Sequence, residues 1–180
     1  MNVLIGFIPF AAFAILDHSL GTTLALVLAA ALAALAAIRD RLRHRTPKLL
    51  DLGACVMFGL LAVVSLVTAS GAGVLAVQAR VDAGLLTIVL ISLAVKRPFT
   101  IDYAKERVPA SVWTKPQFVQ VNNQITLAWA GAFAAKLVGG LAVLYVACPL
   151  WLGLAVGVVG MACALYGTVA IPRHARAQAA

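Results

Sequence analysis

The chain is 180 residues long, 63% apolar and only 11% charged, whereas soluble domains carry about a quarter charged residues, so a single soluble core is excluded. Its mean hydropathy of +1.03 is that of a polytopic membrane protein. The net charge of +8 does not point to nucleic acid, because the basic residues form short clusters beside apolar runs, the pattern of loops facing anionic lipid headgroups.

The apolar runs predict an all-α fold, a single transmembrane domain over 1–180 with spans at 3–17, 20–38, 50–69, 74–95, 125–147 and 150–171, matched to a hydrocarbon layer of roughly 30 Å. The first run has no Lys or Arg before it, so it lacks the charged start of a cleavable signal peptide and reads as a retained helix kinked at Pro9. Asp17, His18 and Ser19 then read as a very short turn. In the second run Ala25, Ala29, Ala33 and Ala37 recur every four residues, a smooth face for close approach of another helix. Arg39, Arg41, Arg43, Arg45 and Lys48, with His44 among them, form the densest basic cluster, and Pro47 separates it from the third run. Residues 70–73 read as a turn. The fourth run is apolar apart from Gln78, Arg80 and Asp82; the fifth and sixth are parted only by Cys148 and Pro149, and Pro172 is expected to end the sixth before a tail carrying Arg173, His174 and Arg176.

Charge placement fixes the expected topology, since short cytoplasmic loops accumulate Lys and Arg. With six spans and a cytoplasmic N-terminus, twelve of the fourteen Lys and Arg residues lie on the cytoplasmic side, as does the C-terminus. Only Arg80 and Lys136 remain, both inside runs. An inverted repeat of three plus three spans is not expected, because the eleven-residue link after the second run would correspond to a two-residue link after the fifth.

Residues 96–122 are the only long polar stretch and are expected to be a cytoplasmic interfacial segment between the fourth and fifth spans. Thr100 reads as an N-cap, and Ile101, Ala104 and Val108 as the apolar face of a short amphipathic helix stopped by Pro109. Trp113 and Phe118 flank Pro116 as membrane anchors, while Lys105, Arg107 and Lys115 face lipid phosphates. The alternative is a docking surface; its candidate residues are Arg97, Pro98, Ile101, Tyr103, Val108, Trp113, Phe118 and Trp129.

Gly131, Ala135 and Gly139 in the fifth run and Gly153 with Gly157 in the sixth are candidate packing positions, between these two runs or, as the sharper reading, on a homodimer face. Lys136 lies at the middle of 125–147, where a bare cation costs roughly 2.5 to 3.5 kcal/mol, so Asp82 is expected to pair with it while Arg80 faces elsewhere. The pair either fixes helix packing or serves a solute or proton. Six acids and three histidines spread over different loops make no catalytic constellation, so no enzyme is expected. The isolated Cys55, Cys148 and Cys163 indicate neither a metal, a cofactor nor a disulfide.

Lys96-Arg97-Pro98, Pro109 with Ser111-Val112-Trp113, Asn122 or Asn123 with Leu127-Ala128-Trp129-Ala130, the early Phe7-Ile8-Pro9-Phe10, and Phe58-Gly59 form a set of short words along the chain. In these words and in its hydropathy profile the chain resembles the bacterial intracellular septation protein A family, as a divergent member. The departures are a longer segment between Trp113 and Leu127 and the Phe99 to Ala104 segment. The resemblance implies a bacterial inner-membrane protein without transferable catalytic residues, supporting cell division or envelope integrity through membrane and protein contacts. The rival expectation is a small transporter or lipid-handling protein using Lys136, Asp82 and Arg80.

Overall fold

The computed structural model describes residues 3–43, 45–68 and 73–177. Among these residues the only regular structure is helical: α1 (Val3–Gly6), α2 (Ile8–Leu20), α3 (Thr22–Leu42), α4 (Leu49–Thr68), α5 (Val74–Ala94), α6 (Thr100–Ala104), α7 (Pro116–Tyr145) and α8 (Leu150–Ala177), with two single 3₁₀ turns between α6 and α7. Five helices, α3, α4, α5, α7 and α8, are long and apolar enough to cross a membrane, and the first apolar segment is shorter. The protein is a helical membrane protein. It divides into two compact units, Met1–Ile88 and Val89–Ala180, with the division falling inside α5.

In the first unit α2 packs on α3 and α3 on α4. Pro9 does not kink a continuous helix. The break is at Phe7 (φ −92°, ψ 0°), and Pro9 stands in the first turn of α2, where its missing N–H would have had no intrahelical acceptor. The expected turn at Asp17 to Ser19 is also helix; the chain turns at Gly21, whose φ of 80° is open to a residue without Cβ. Ala25, Ala29, Ala33 and Ala37 are all buried along α3, so the small-residue seam runs as its spacing indicates. Phe10 and Phe13 of α2 meet Phe58 of α4 with ring centroids 5.0 and 5.8 Å apart, and Val77 and Val81 of α5 complete the same core. A side chain on Gly53 would meet Ile88 at 2.9 Å, and one on Gly84 would collide with Met57. Two glycines therefore make room for the Ile88 and Met57 side chains between α4 and α5. The expected turn over 70–72 and the basic-loop residue His44 lie outside the described residues.

In the second unit α5 ends in a left-handed cap. Lys96 has φ 56°; its N–H donates to the Leu93 carbonyl and the N–H of Arg97 to the Ser92 carbonyl, at 3.0 and 2.9 Å, the paired bonds of a Schellman motif with Pro98 immediately after. α7 starts at Pro116, nine residues ahead of the apolar run at 125. Its 30 residues span about 45 Å, so roughly ten exceed a ~30 Å hydrocarbon layer. α7 and α8 form an antiparallel hairpin on a glycine seam: a Cβ on Gly139 would stand 2.9 Å from the Gly153 carbonyl oxygen, and one on Gly160 3.3 Å from Ala132 Cα. Pro172 does not end α8, which continues to Ala177. Near a helix end only one backbone bond is lost to it, and the Gln117 side chain donates to the Ala175 carbonyl at 3.1 Å, tying down the last turn.

Candidate functional site

All five aspartates of this apolar chain, Asp17, Asp40, Asp51, Asp82 and Asp102, are buried, whereas most Lys and Arg residues are exposed. Their positions follow helical spacing: Asp17 follows Phe10 and Phe13 at seven and four residues, Asp40 follows Ala33 and Ala37 at seven and three, and Asp51 precedes Ala54 and Phe58 at three and seven. Each carboxylate therefore continues the core-facing stripe of its own helix.

At the α3–α4 link of the first unit, Lys48 Nζ donates to Asp40 Oδ2 at 2.9 Å, with both side chains over nine-tenths buried. The Arg45 N–H donates to the Asp40 carbonyl at 2.9 Å, and the half-exposed Arg39 lies 3.8 Å from the carboxylate. Among the described residues of the expected lipid-facing basic cluster only Lys48 is turned inward, holding residues 45–48 to the bundle; Arg39, Arg41, Arg43 and Arg45 stay exposed. The sequence signal was the register of Asp40 on the stripe of Ala33 and Ala37, with Lys48 eight residues on.

Apart from Asp102, which is paired with Arg97 at 3.2 Å, the second unit buries neutral polar groups. Thr100 Oγ1 donates to the Asn122 carbonyl at 3.0 Å and lies 2.8 Å from Thr126 Oγ1, and Asn122 Nδ2 donates back to the Phe118 carbonyl at 2.8 Å. Ser92 Oγ donates to the Val89 carbonyl at 2.6 Å and accepts the Phe99 N–H at 3.3 Å. Thr100 is thus a tertiary anchor of α6 on α7, and not the N-cap expected of it: Phe99 holds that position without a side-chain cap. Deeper along the hairpin, Trp129 Nε1 donates to Thr168 Oγ1 at 3.0 Å, which donates to the Ala164 carbonyl at 2.8 Å.

The candidate docking residues separate into two groups. Pro98, Ile101, Tyr103 and Trp129 are buried, so they hold the segment to the protein. Arg97 and Trp113 stay accessible, the first 50% exposed at its side chain while bonded to Asp102 at 3.2 Å, the second 38% exposed. Trp113 donates to the Val108 carbonyl at 3.1 Å and carries Lys105 Nζ 5.3 Å over its ring, a cation–π contact. Val108 is half-buried and extended (φ −126°, ψ 146°), as expected of a residue before proline, so the helix stops short of it. Phe118 is half-buried on α7.

Of the packing set, Gly139, Gly153 and Gly157 lie in the α7–α8 seam and Ala135 borders it 3.5 Å from the place a Gly160 side chain would take, whereas Gly131 is exposed with open space around it. Lys136 is half-buried, its stem passing over Gly157, where a Cβ would stand 3.3 Å from Lys136 Cγ. Asp82 accepts from Gln78 Nε2 at 3.3 Å in the first unit, and Arg80 is exposed. Asp82 and Lys136 fall in different units. No group of three or more His, Cys, Asp or Glu able to hold a metal occurs among the described residues. No family model, curated protein or solved structure matches the chain.

Proposed function

We propose that this protein is a non-enzymatic scaffold of the bacterial inner membrane that supports envelope maintenance or division through contacts at its cytoplasmic face, in keeping with its resemblance to the septation protein A family. The observation that carries the reading is the division of labour over 96–115. Phe99, Thr100, Ile101 and Tyr103 are buried and hydrogen bonds fix α6 to α7, while Lys96, Arg97, Arg107, Lys115 and Trp113 remain exposed. A loop that is anchored to α7 and presents cations and one accessible aromatic ring suits recognition of anionic headgroups or of an acidic segment of a neighbouring membrane protein. In this reading α1 and α2 together make the first of six spans, both termini and the 39–48 link are cytoplasmic, and the glycine seam, occupied within the chain by α7 and α8, leaves a homodimer to other faces.

A photo-crosslinking residue placed at Trp113 in living cells tests the proposal. Capture of division or envelope-synthesis membrane proteins supports it, and a yield confined to lipid overturns the scaffold role. Reporters at residue 180 and at residues 18–19 are expected on opposite sides of the membrane. Finding both on one side discards the six-span topology.

A further inference from the structure

From Gln120 to Tyr145, α7 leaves one face uncovered. Its other face is occupied: Trp129, Phe133 and Gly139 are buried, and Gly139 and the Lys136 stem lie against α8. Opposite them on the helix, Gln120, Gln124, Leu127 and Gly131 are exposed. The same spacing, alternately four and three residues, continues through half-buried Ala134 and exposed Val138 and Leu141 to exposed Tyr145. Strict alternation of this kind repeats every seven residues and is the seam of a left-handed coiled coil, from which a straight helix drifts by about 20° per heptad.

Contact with lipid accounts for the apolar part of this stripe but not for its polar part. Gln120 and Gln124 belong to the stretch of α7 that precedes the apolar run at 125, next to a segment that presents Lys96, Arg97, Arg107 and Lys115 to solvent. A stripe that merely leaves the hydrocarbon at such an end takes up charge. This one takes up glutamine: no Asp, Glu, Lys or Arg occurs from Pro116 to Ala135, and Lys136 lies on the face toward α8. Neutrality is what a self-pairing face requires. A twofold axis sets each seam residue against its own copy, where a charge would meet its like, while a glutamine carries both donor and acceptor and can bond to itself. Gln117, three residues ahead, is engaged by the Ala175 carbonyl of α8, so the free seam starts at Gln120.

We propose that α7 pairs with α7 of a second copy of this chain in a parallel twofold dimer, with Gln120 and Gln124 bonding across the axis outside the hydrocarbon and Leu127, Val138 and Leu141 packing within it. Two copies inserted with the same topology run parallel, as an in-register seam demands. Ala128, Ala135 and Ala142, half-buried and seven residues apart, flank the seam and leave room for the second helix. The dimer uses the side of α7 away from α8 and does not depend on the scaffold reading.

The test uses the full chain in isolated native membranes, with Cys55, Cys148 and Cys163 replaced by alanine and one cysteine introduced at a time. Under mild oxidation Gln120→Cys and Gln124→Cys are expected to form disulfide-linked dimers, since residues facing each other across the axis bring their Cβ atoms to the ~4 Å a disulfide needs. Arg173→Cys, exposed on α8 near Ala175, is expected to stay monomeric. In detergent, the double variant Gln120→Lys with Gln124→Lys is expected to lower the dimer fraction roughly tenfold or more at unchanged helix content, and mixing it with Gln120→Glu plus Gln124→Glu to restore pairing. Absence of dimers from both seam cysteines overturns the proposal, as do cross-links at 173 as strong as those at the seam, adducts with a protein of another mass, or a dimer that the two lysines leave intact.

Discussion

The two units fix their helix contacts with different buried polar groups. The first closes its α3–α4 end with a charged pair, Asp40 and Lys48 at 2.9 Å; the second ties α6 and α7 with hydroxyls and a carbonyl, Thr100, Thr126 and Asn122. A buried ion pair is worth little net but is expensive to break, because its surviving partner is left charged in a poor solvent, whereas a neutral network loses only one modest bond at a time. The first unit should therefore tolerate paired replacement and punish single replacement, and the second should respond in small, nearly equal steps.

The largest expected effect is on the charged pair. Lys48→Met leaves the Asp40 carboxylate buried with the half-exposed Arg39 3.8 Å away and should destabilise the protein by about 3 to 5 kcal/mol, read from unfolding in mixed micelles. Adding Asp40→Leu should recover most of that loss. A double variant as unstable as the single one would show that the pair is not the source of the cost.

Next comes the glycine seam. Gly153→Val drives a side chain into the Gly139 carbonyl and Val143 and should cost about 1 to 3 kcal/mol. Gly131→Val, in open space on the same hairpin, should be neutral or mildly stabilising by the same assay. Equal losses would mean that the seam does not discriminate the faces of α7.

The neutral network should give less. Thr126→Val removes one hydroxyl from the Thr100 contact, and Trp129→Phe removes the indole donor while Thr168 keeps its bond to Ala164; each is expected to cost about 0.5 to 1.5 kcal/mol. A loss as large as that of Lys48→Met from either would erase the contrast between the units. Smallest, and of opposite sign, is Lys96→Gly. It relieves a left-handed residue at the end of α5 and should raise stability by up to about 1 kcal/mol, seen as a slightly higher Tm.

Period-based reading recovered what periodicity encodes. The alanine seam of α3 and the Gly139, Gly153 and Gly157 positions carry their spacing openly, because a close helix approach needs small residues at fixed intervals. Asp17 reads as a turn residue when charge is taken as the mark of a turn, although its interval from Phe10 and Phe13 already puts it on the core face. Thr100 was equally ambiguous, since its partners Asn122 and Thr126 lie 22 and 26 residues away, beyond any local period. A hydroxyl that caps a helix and one that joins two helices look alike until the second helix is in place.

The lysine stem lying over Gly157 also has a mechanical consequence. Sliding α8 along α7 by one turn, about 5.4 Å, would bring Gly157 opposite Gly139, a substitution of one glycine for another that the seam alone would accept. It would also set Met161 against the Lys136 stem, where Gly157 now leaves room. Lys136 thus acts as a tooth in a notch, admitting one register and blocking its neighbour. With Gln117 clasping the far end of α8 at Ala175, the hairpin can tilt or be pulled as one stiff lever but cannot work as a piston.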